Sequence, residues 1–217
     1  MAAVANHRYT VADRDSFPAI RGFSCMTTAD AARDDDISPR PMPWLLIAAT
    51  CLATFAITAS GVTRAPFLIN MSQDLNVSLA MVANLFGVTS IAWGLSSFVA
   101  GVGSDRIGRR PFLIGAPIAL AGTLVGVALG QSFLSVAIWA TLAGGCSGLF
   151  TGVSMAEIAG RVTDRQRGRA LGWIMAGQSM TLLVGVPMAS WIGASVGWRG
   201  VNYVVGALSL VGAVAML

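Results

Sequence analysis

The residues best suited to chemistry in this chain lie in one short segment, Gly101-Val102-Gly103-Ser104-Asp105-Arg106-Ile107-Gly108-Arg109-Arg110-Pro111. One acid and three arginines stand there between two long uncharged stretches, and such a set supports ion pairing at a membrane edge rather than bond cleavage. Gly101 is expected to let the preceding helix pack closely at its end, and Gly108 to support a tight turn open to positive φ. Asp105 is expected to face the amino terminus of a neighbouring helix, while Arg109 reaches a carboxylate. The carboxylate in question is Glu157, the only glutamate in the chain, which closes a later apolar run. Positive charge gathered at a membrane edge explains Arg106, Arg109 and Arg110, but not an acid set between two glycines.

Bond-making chemistry finds less support. Gly145-Cys146-Ser147-Gly148 resembles the nucleophile segment of rhomboid intramembrane proteases, which pair the serine with a histidine in a later helix. The only histidine here is His7, ahead of every apolar run, so Ser147 stays an ordinary alcohol and the protease is rejected. Gly152-Val153-Ser154-Met155-Ala156 lacks the final glycine of a nucleophile elbow. There is no Walker loop and no metal-ligand spacing, which excludes a self-powered pump or a metalloenzyme, and no cofactor is expected. Cys25, Cys51 and Cys146 are too scattered for a disulfide framework and read as packing residues.

The elements that must position these residues are membrane spans. Apolar residues make up 55% of the chain and charged ones 11%, against roughly a quarter charged in soluble domains. A mean hydropathy of +0.70 points the same way, to a chain solvated by lipid. The fourteen basic residues are all arginine and form no stripe or patch, so nucleic-acid binding is not expected. Residues 1–40 are polar, interrupted by proline and carry Asp34, Asp35 and Asp36; they read as a disordered cytoplasmic tail without the compact apolar region of a signal peptide. Met26 reads as an alternative start, on which the residues before it are expected to be an over-extension of the reading frame. From 41 to 217 the uncharged runs divide into six spans, at about 44–62, 79–101, 111–129, 133–155, 170–192 and 202–217. The polar break Gly130-Gln131-Ser132 separates the third from the fourth.

Charge bias then orients the bundle. Arg106, Arg109, Arg110, Arg161, Arg165, Arg167 and Arg169 follow spans two and four, whereas Arg64 and Arg199 fall on the other side. That places the amino terminus and the arginine-rich loops in the cytoplasm. Trp44 and Trp173 then lie near the inner interface, and Trp191 and Trp198 near the outer one.

Small residues mark close helix contacts: Gly144, Gly148 and Gly152 recur every fourth position in span four, and span five carries Gly177 and Gly185. Pro187 removes a backbone donor inside span five and reads as a hinge or a simple bend. Asn84, Thr89, Gln178 and Thr181 are the neutral polar residues able to meet a polar or amphiphilic solute, with interhelical hydrogen bonding as their other reading.

The segment from Gly101 to Pro111 resembles the signature loop of the major facilitator superfamily, a glycine, an aspartate four residues on, then Asp-Arg-x-Gly-Arg-Arg. Other stretches are similar to the same family: Pro66 followed by Asp74-Leu75-Asn76-Val77-Ser78, Arg167-Gly168-Arg169 entering span five, and Gly185-Val186-Pro187 with Gly197-Trp198-Arg199, as in sugar and purine-nucleoside efflux permeases. The resemblance implies an all-α membrane protein, a three-plus-three inverted repeat forming the amino-terminal half of that fold, located in the inner membrane. It also implies secondary transport of a small solute by alternating access, of the efflux or antiporter type, with Gly101, Asp105, Gly108, Arg109, Arg110 and Glu157 acting as an inner latch. Ala140 stands where many drug and proton antiporters of the family carry an arginine, so proton coupling has no visible carrier in this half. The expected partner is the carboxy-terminal six-span half or a second copy; the rival reading is a truncated, non-transporting membrane fragment or scaffold.

Overall fold

The computed structural model describes residues 44–216, the side chains of Asp105, Ile107 and Asp164 excepted. The expectations placed on residues 1–40 and on Met26 therefore lie outside the described residues, as does the side chain of Asp105. Among the described residues all regular structure is helical.

Helix α1 (Trp44–Val62) carries no charge, and at about 1.5 Å per residue it covers most of a bilayer core. A 3₁₀ turn (Ala65–Phe67) begun by Pro66 leads into the short α2 (Leu68–Asp74). Helix α3 (Leu79–Ile107) starts at Ser78, whose hydroxyl accepts the Met81 N–H at 3.3 Å, and stops at Gly108 with φ of 96°. Helix α4 (Arg110–Leu129) has a proline in its first turn, where the missing donor costs nothing. Gly130, Gln131 and Ser132 separate it from α5 (Phe133–Arg161), which Ser132 caps by accepting the Ser135 N–H. Helix α6 (Asp164–Met180), a π turn (Thr181–Gly185) and α7 (Val186–Val214) follow without a loop between them.

Five stretches are long and apolar enough to cross a membrane, and the last, Arg165–Val214, has 50 residues. That is far longer than one crossing needs. The chain turns back within it at Gly197, whose φ of 70° and ψ of 175° are not helical. Going up, Gly177 lies against Cys51 of α1, Gly185 against Phe55 and Gly193 against Phe67; coming back, Gly212 lies against Ala53.

Helix ends differ from the apolar limits wherever arginines follow. Helix α3 runs to 107 rather than 101, α5 to 161 rather than 155, and α6 begins at 164 rather than 170. Hydropathy marks the edge of the lipid, whereas the backbone hydrogen-bond ladder continues into the charged residues beyond it.

Helix α5 packs along α3 and α4, α4 against α7, and α1 against α6 and α7. Phe150, Ile57, Leu120, Leu124, Val136 and Val153 are fully enclosed at the centre. The glycine ridge of α5 makes the α3 contact possible. A Cβ on Gly144 would stand 2.6 Å from the Thr89 carbonyl oxygen, and one on Gly152 would stand 2.8 Å from that of Ser97. On Gly148 it would overlap the Trp93 carbonyl outright.

One expectation needs correction. Gly101 does not serve a close contact in this chain, because a Cβ there would meet nothing within 4 Å; that face of α3 is turned outward. Trp191 is exposed, whereas Trp198 is buried and its indole N–H donates to Asp74 Oδ2 at 2.8 Å.

Candidate functional site

The charged groups expected to act together converge at the end of the bundle where α3 gives way to α4 and α5 to α6. Gly108 donates its N–H to the Ser104 carbonyl, closing α3, and its positive φ turns the chain so that Arg109 heads α4. From there Arg109 Nη1 donates to the Ala156 carbonyl at 3.1 Å and to Glu157 Oε2 at 3.4 Å. The other carboxylate oxygen, Oε1, accepts from Arg161 one helical turn on, at 2.5 Å. Glu157 is buried and its two guanidinium partners are half-exposed. The geometry is that of a single acid clamped between two cations, one from its own helix and one carried in from the turn between α3 and α4. Gly160 leaves the space for this, since a Cβ there would lie 3.1 Å from Arg109 Nη1.

Arg161 and Gly160 were not singled out by sequence reasoning. The signal for Arg161 was present, a glutamate four residues ahead of a basic residue on one helix. Arg110 is exposed at the start of α4 and is not among the groups touching Glu157. Gly101 lies about two turns back along α3 with open space beside it.

The other candidates fall into separate helix contacts. Thr89 belongs to the α3 and α5 contact, with its hydroxyl donating to the Phe86 carbonyl at 3.0 Å. Asn84 is exposed on α3 and Gln178 half-buried on α6. Thr181 is fully buried at the start of the π turn, donating to the Phe55 carbonyl of α1 at 3.1 Å and also lying 3.4 Å from the Gly177 carbonyl. Gly185 and Pro187 flank the junction of the π turn and α7, the place where a proline removes a donor. Ser147 is buried, donates to the Ala143 carbonyl and lies 3.4 Å from the Ser60 hydroxyl, so it serves a helix contact.

A cleft of about 520 Å³ between α1 and α6 is lined by Trp44, Cys51, Phe55, Trp173, Gly177 and Met180. Its mouth holds a T-shaped Trp44 and Trp173 pair, centroids 6.4 Å apart, with the Arg169 guanidinium 5.9 Å from the Trp44 ring. Such a lining suits an apolar or amphiphilic body. Hydropathy alone assigned both tryptophans to the interface and so hid the cleft.

Known proteins resemble this chain over its helical part. A transporter described as MFS-type, clz19 of Cochliobolus lunatus, is 29% identical over 72% of this chain and 30% of its own length. The multi-drug resistance efflux pump PmrA of Streptococcus pneumoniae is 29% identical over 69% of this chain and 38% of its own. In three dimensions the bundle superimposes on the proton:xylose symporter XylE with a TM-score of 0.66 at 18% identity, over 80% of this chain and 44% of that one. The chain spans between 30% and 45% of the length of the curated relatives it first matches. Because the model of the Major Facilitator Superfamily matches residues 46–217, almost the whole helical bundle, the chain belongs to that superfamily.

Proposed function

We propose that the chain is the amino-terminal, six-span half of a secondary carrier that exports a small polar or amphiphilic solute by alternating access. The observation carrying this is the Arg109, Glu157 and Arg161 cluster, which ties the α3 and α4 turn to the end of α5 at one end of the bundle. In the carrier this cluster, with Asp105, holds the cytoplasmic side shut while the solute path faces outward. Charges that must separate for a path to open give such a latch two discrete states.

An inverted repeat is supported by an echo in the backbone. Gly108 and Gly197 are the glycines with positive φ among the described residues. Each is followed within two residues by an arginine that donates to a carbonyl at the end of another helix, Arg109 to Ala156 and Arg199 to Gly130. Counting the reversal at Gly197, the chain makes six crossings, three on each side of the α4 and α5 turn. The arginine-rich end is cytoplasmic on this reading, and the membrane is the inner one. Export rather than uptake is supported by relatives that include an efflux pump.

The substitution Glu157→Gln tests the latch. In cells exporting ethidium through the carrier, it should abolish most efflux while leaving the amount of protein in the membrane unchanged, and Asp105→Asn should do the same. Unchanged efflux in both would remove the latch from the account. The rival reading, a membrane scaffold that does not transport, predicts that neither substitution alters any flux.

A further inference from the structure

At the opposite end of the bundle from the latch, Arg64 follows α1 and is 6% exposed. Its backbone is fixed by the 3₁₀ turn, the Arg64 carbonyl accepting the Phe67 N–H at 3.0 Å. Its side chain lines a narrow cleft with Met71 of α2 and with Val82, Leu85, Phe86 and Thr89, one face of α3 at i, i+3, i+4 and i+7. The cleft has no room for a water molecule in this conformation. Among the described residues Arg64 Nε is enclosed with no hydrogen-bond partner, and no carboxylate lies within ion-pair distance of the guanidinium. Asp74, the acid at this end, is taken by Trp198. The Thr89 hydroxyl already donates to Phe86, so Arg64 Nε is the free donor of the cleft.

A largely buried guanidinium with an unbonded Nε and no counter-charge is expensive to maintain, and the compensation that fits is an anion brought into the cleft. An arginine fork matches two carboxylate oxygens. The remaining walls are apolar. We propose that Arg64 anchors the carboxylate of a small organic acid, whose apolar body lies along Phe86, Leu85 and Met71 when the cleft widens. A carboxylate of a second carrier half fits less well, because Arg64 is enclosed by this chain's own α2 and α3. The role of the acid as a solute rests on the carrier reading, whereas its binding does not.

Binding of radiolabelled benzoate to the purified chain in detergent tests the site, with benzamide as the neutral counterpart and inorganic phosphate as competitor. Saturable benzoate binding is expected, with no benzamide binding, a loss of at least tenfold in Arg64→Gln and partial retention in Arg64→Lys. On the wild-type chain, where no variant need fold, benzoate should slow phenylglyoxal modification of Arg64 as mapped by mass spectrometry. Absence of benzoate binding, an unchanged rate at Arg64, or protection by phosphate in place of benzoate would overturn the assignment. So would protection that appears only when a second carrier half is added, since a protein carboxylate would then be the partner. Benzoate binding without benzoate transport by the chain joined to a second six-span unit would leave the site standing and remove the acid's role as the carried solute.

Discussion

Glycines 144, 148 and 152 owe their identity to the carbonyls of α3 that lie over them, and this can be measured one residue at a time. Gly148→Val forces a side chain into the Trp93 carbonyl and should cost at least about 1–3 kcal/mol in equilibrium unfolding of the chain. Gly101→Ala meets open space, and in the same measurement should be neutral or stabilising by up to about 1 kcal/mol. Equal losses at the two positions would contradict the packing described here. The spacing of the α5 ridge was legible in the sequence because only small residues permit such an approach every fourth position. The direction in which Gly101 faces was not, since one glycine at a helix end carries no phase. Glu157 was legible as a partner by elimination, being the only glutamate, whereas Gly160 acquires a purpose only once Arg109 is seen lying over it.

At the scale of elements, the turn-back at Gly197 is held by a small set of polar links. Trp198 donates to Asp74, Arg199 lies 4.9 Å from the Trp198 ring and donates to the Gly130 carbonyl, and Asn202 donates to the Trp198 carbonyl. Trp198→Phe keeps an aromatic side chain but removes the indole N–H with its charge-assisted bond and part of the buried ring, and should cost at least about 1.5–3 kcal/mol, with faster hydrogen exchange around 197–202. The π turn offers a second check. Thr181→Val removes its bond to the Phe55 carbonyl and should cost about 0.5–1.5 kcal/mol, loosening 181–187 against α1 in hydrogen exchange. Helix centres were readable because runs of apolar residues have no other solvent than lipid. Helix ends were not, since the α3 and α5 ladders carry on through Arg106 and Arg161. The π turn escaped notice because Pro187 signals a lost donor without saying how the backbone makes room for it.

For the whole molecule, the family and the lipid environment follow from the sequence, and the helical bundle accommodates both. The apolar cleft at Trp44 and the dry cleft at Arg64 lie at opposite ends of α1, and neither follows from periodicity, because each depends on which helices meet. Much of the apolar surface of α3, including Ile91, Leu95 and Phe98, is left uncovered by this chain and is available to lipid or to a second six-span unit. Alternating access needs two units moving about a shared path, so flux through this bundle depends on pairing. Counterflow in liposomes measures both when the number of six-span units per particle is fixed beforehand, using ethidium, xylose and inosine as solutes. Saturable counterflow of at least one of them is expected where the chain is joined to a second six-span unit or a second copy, and none from the chain as a monomer. Saturable counterflow by a demonstrably monomeric chain, or none from any pairing, would contradict this.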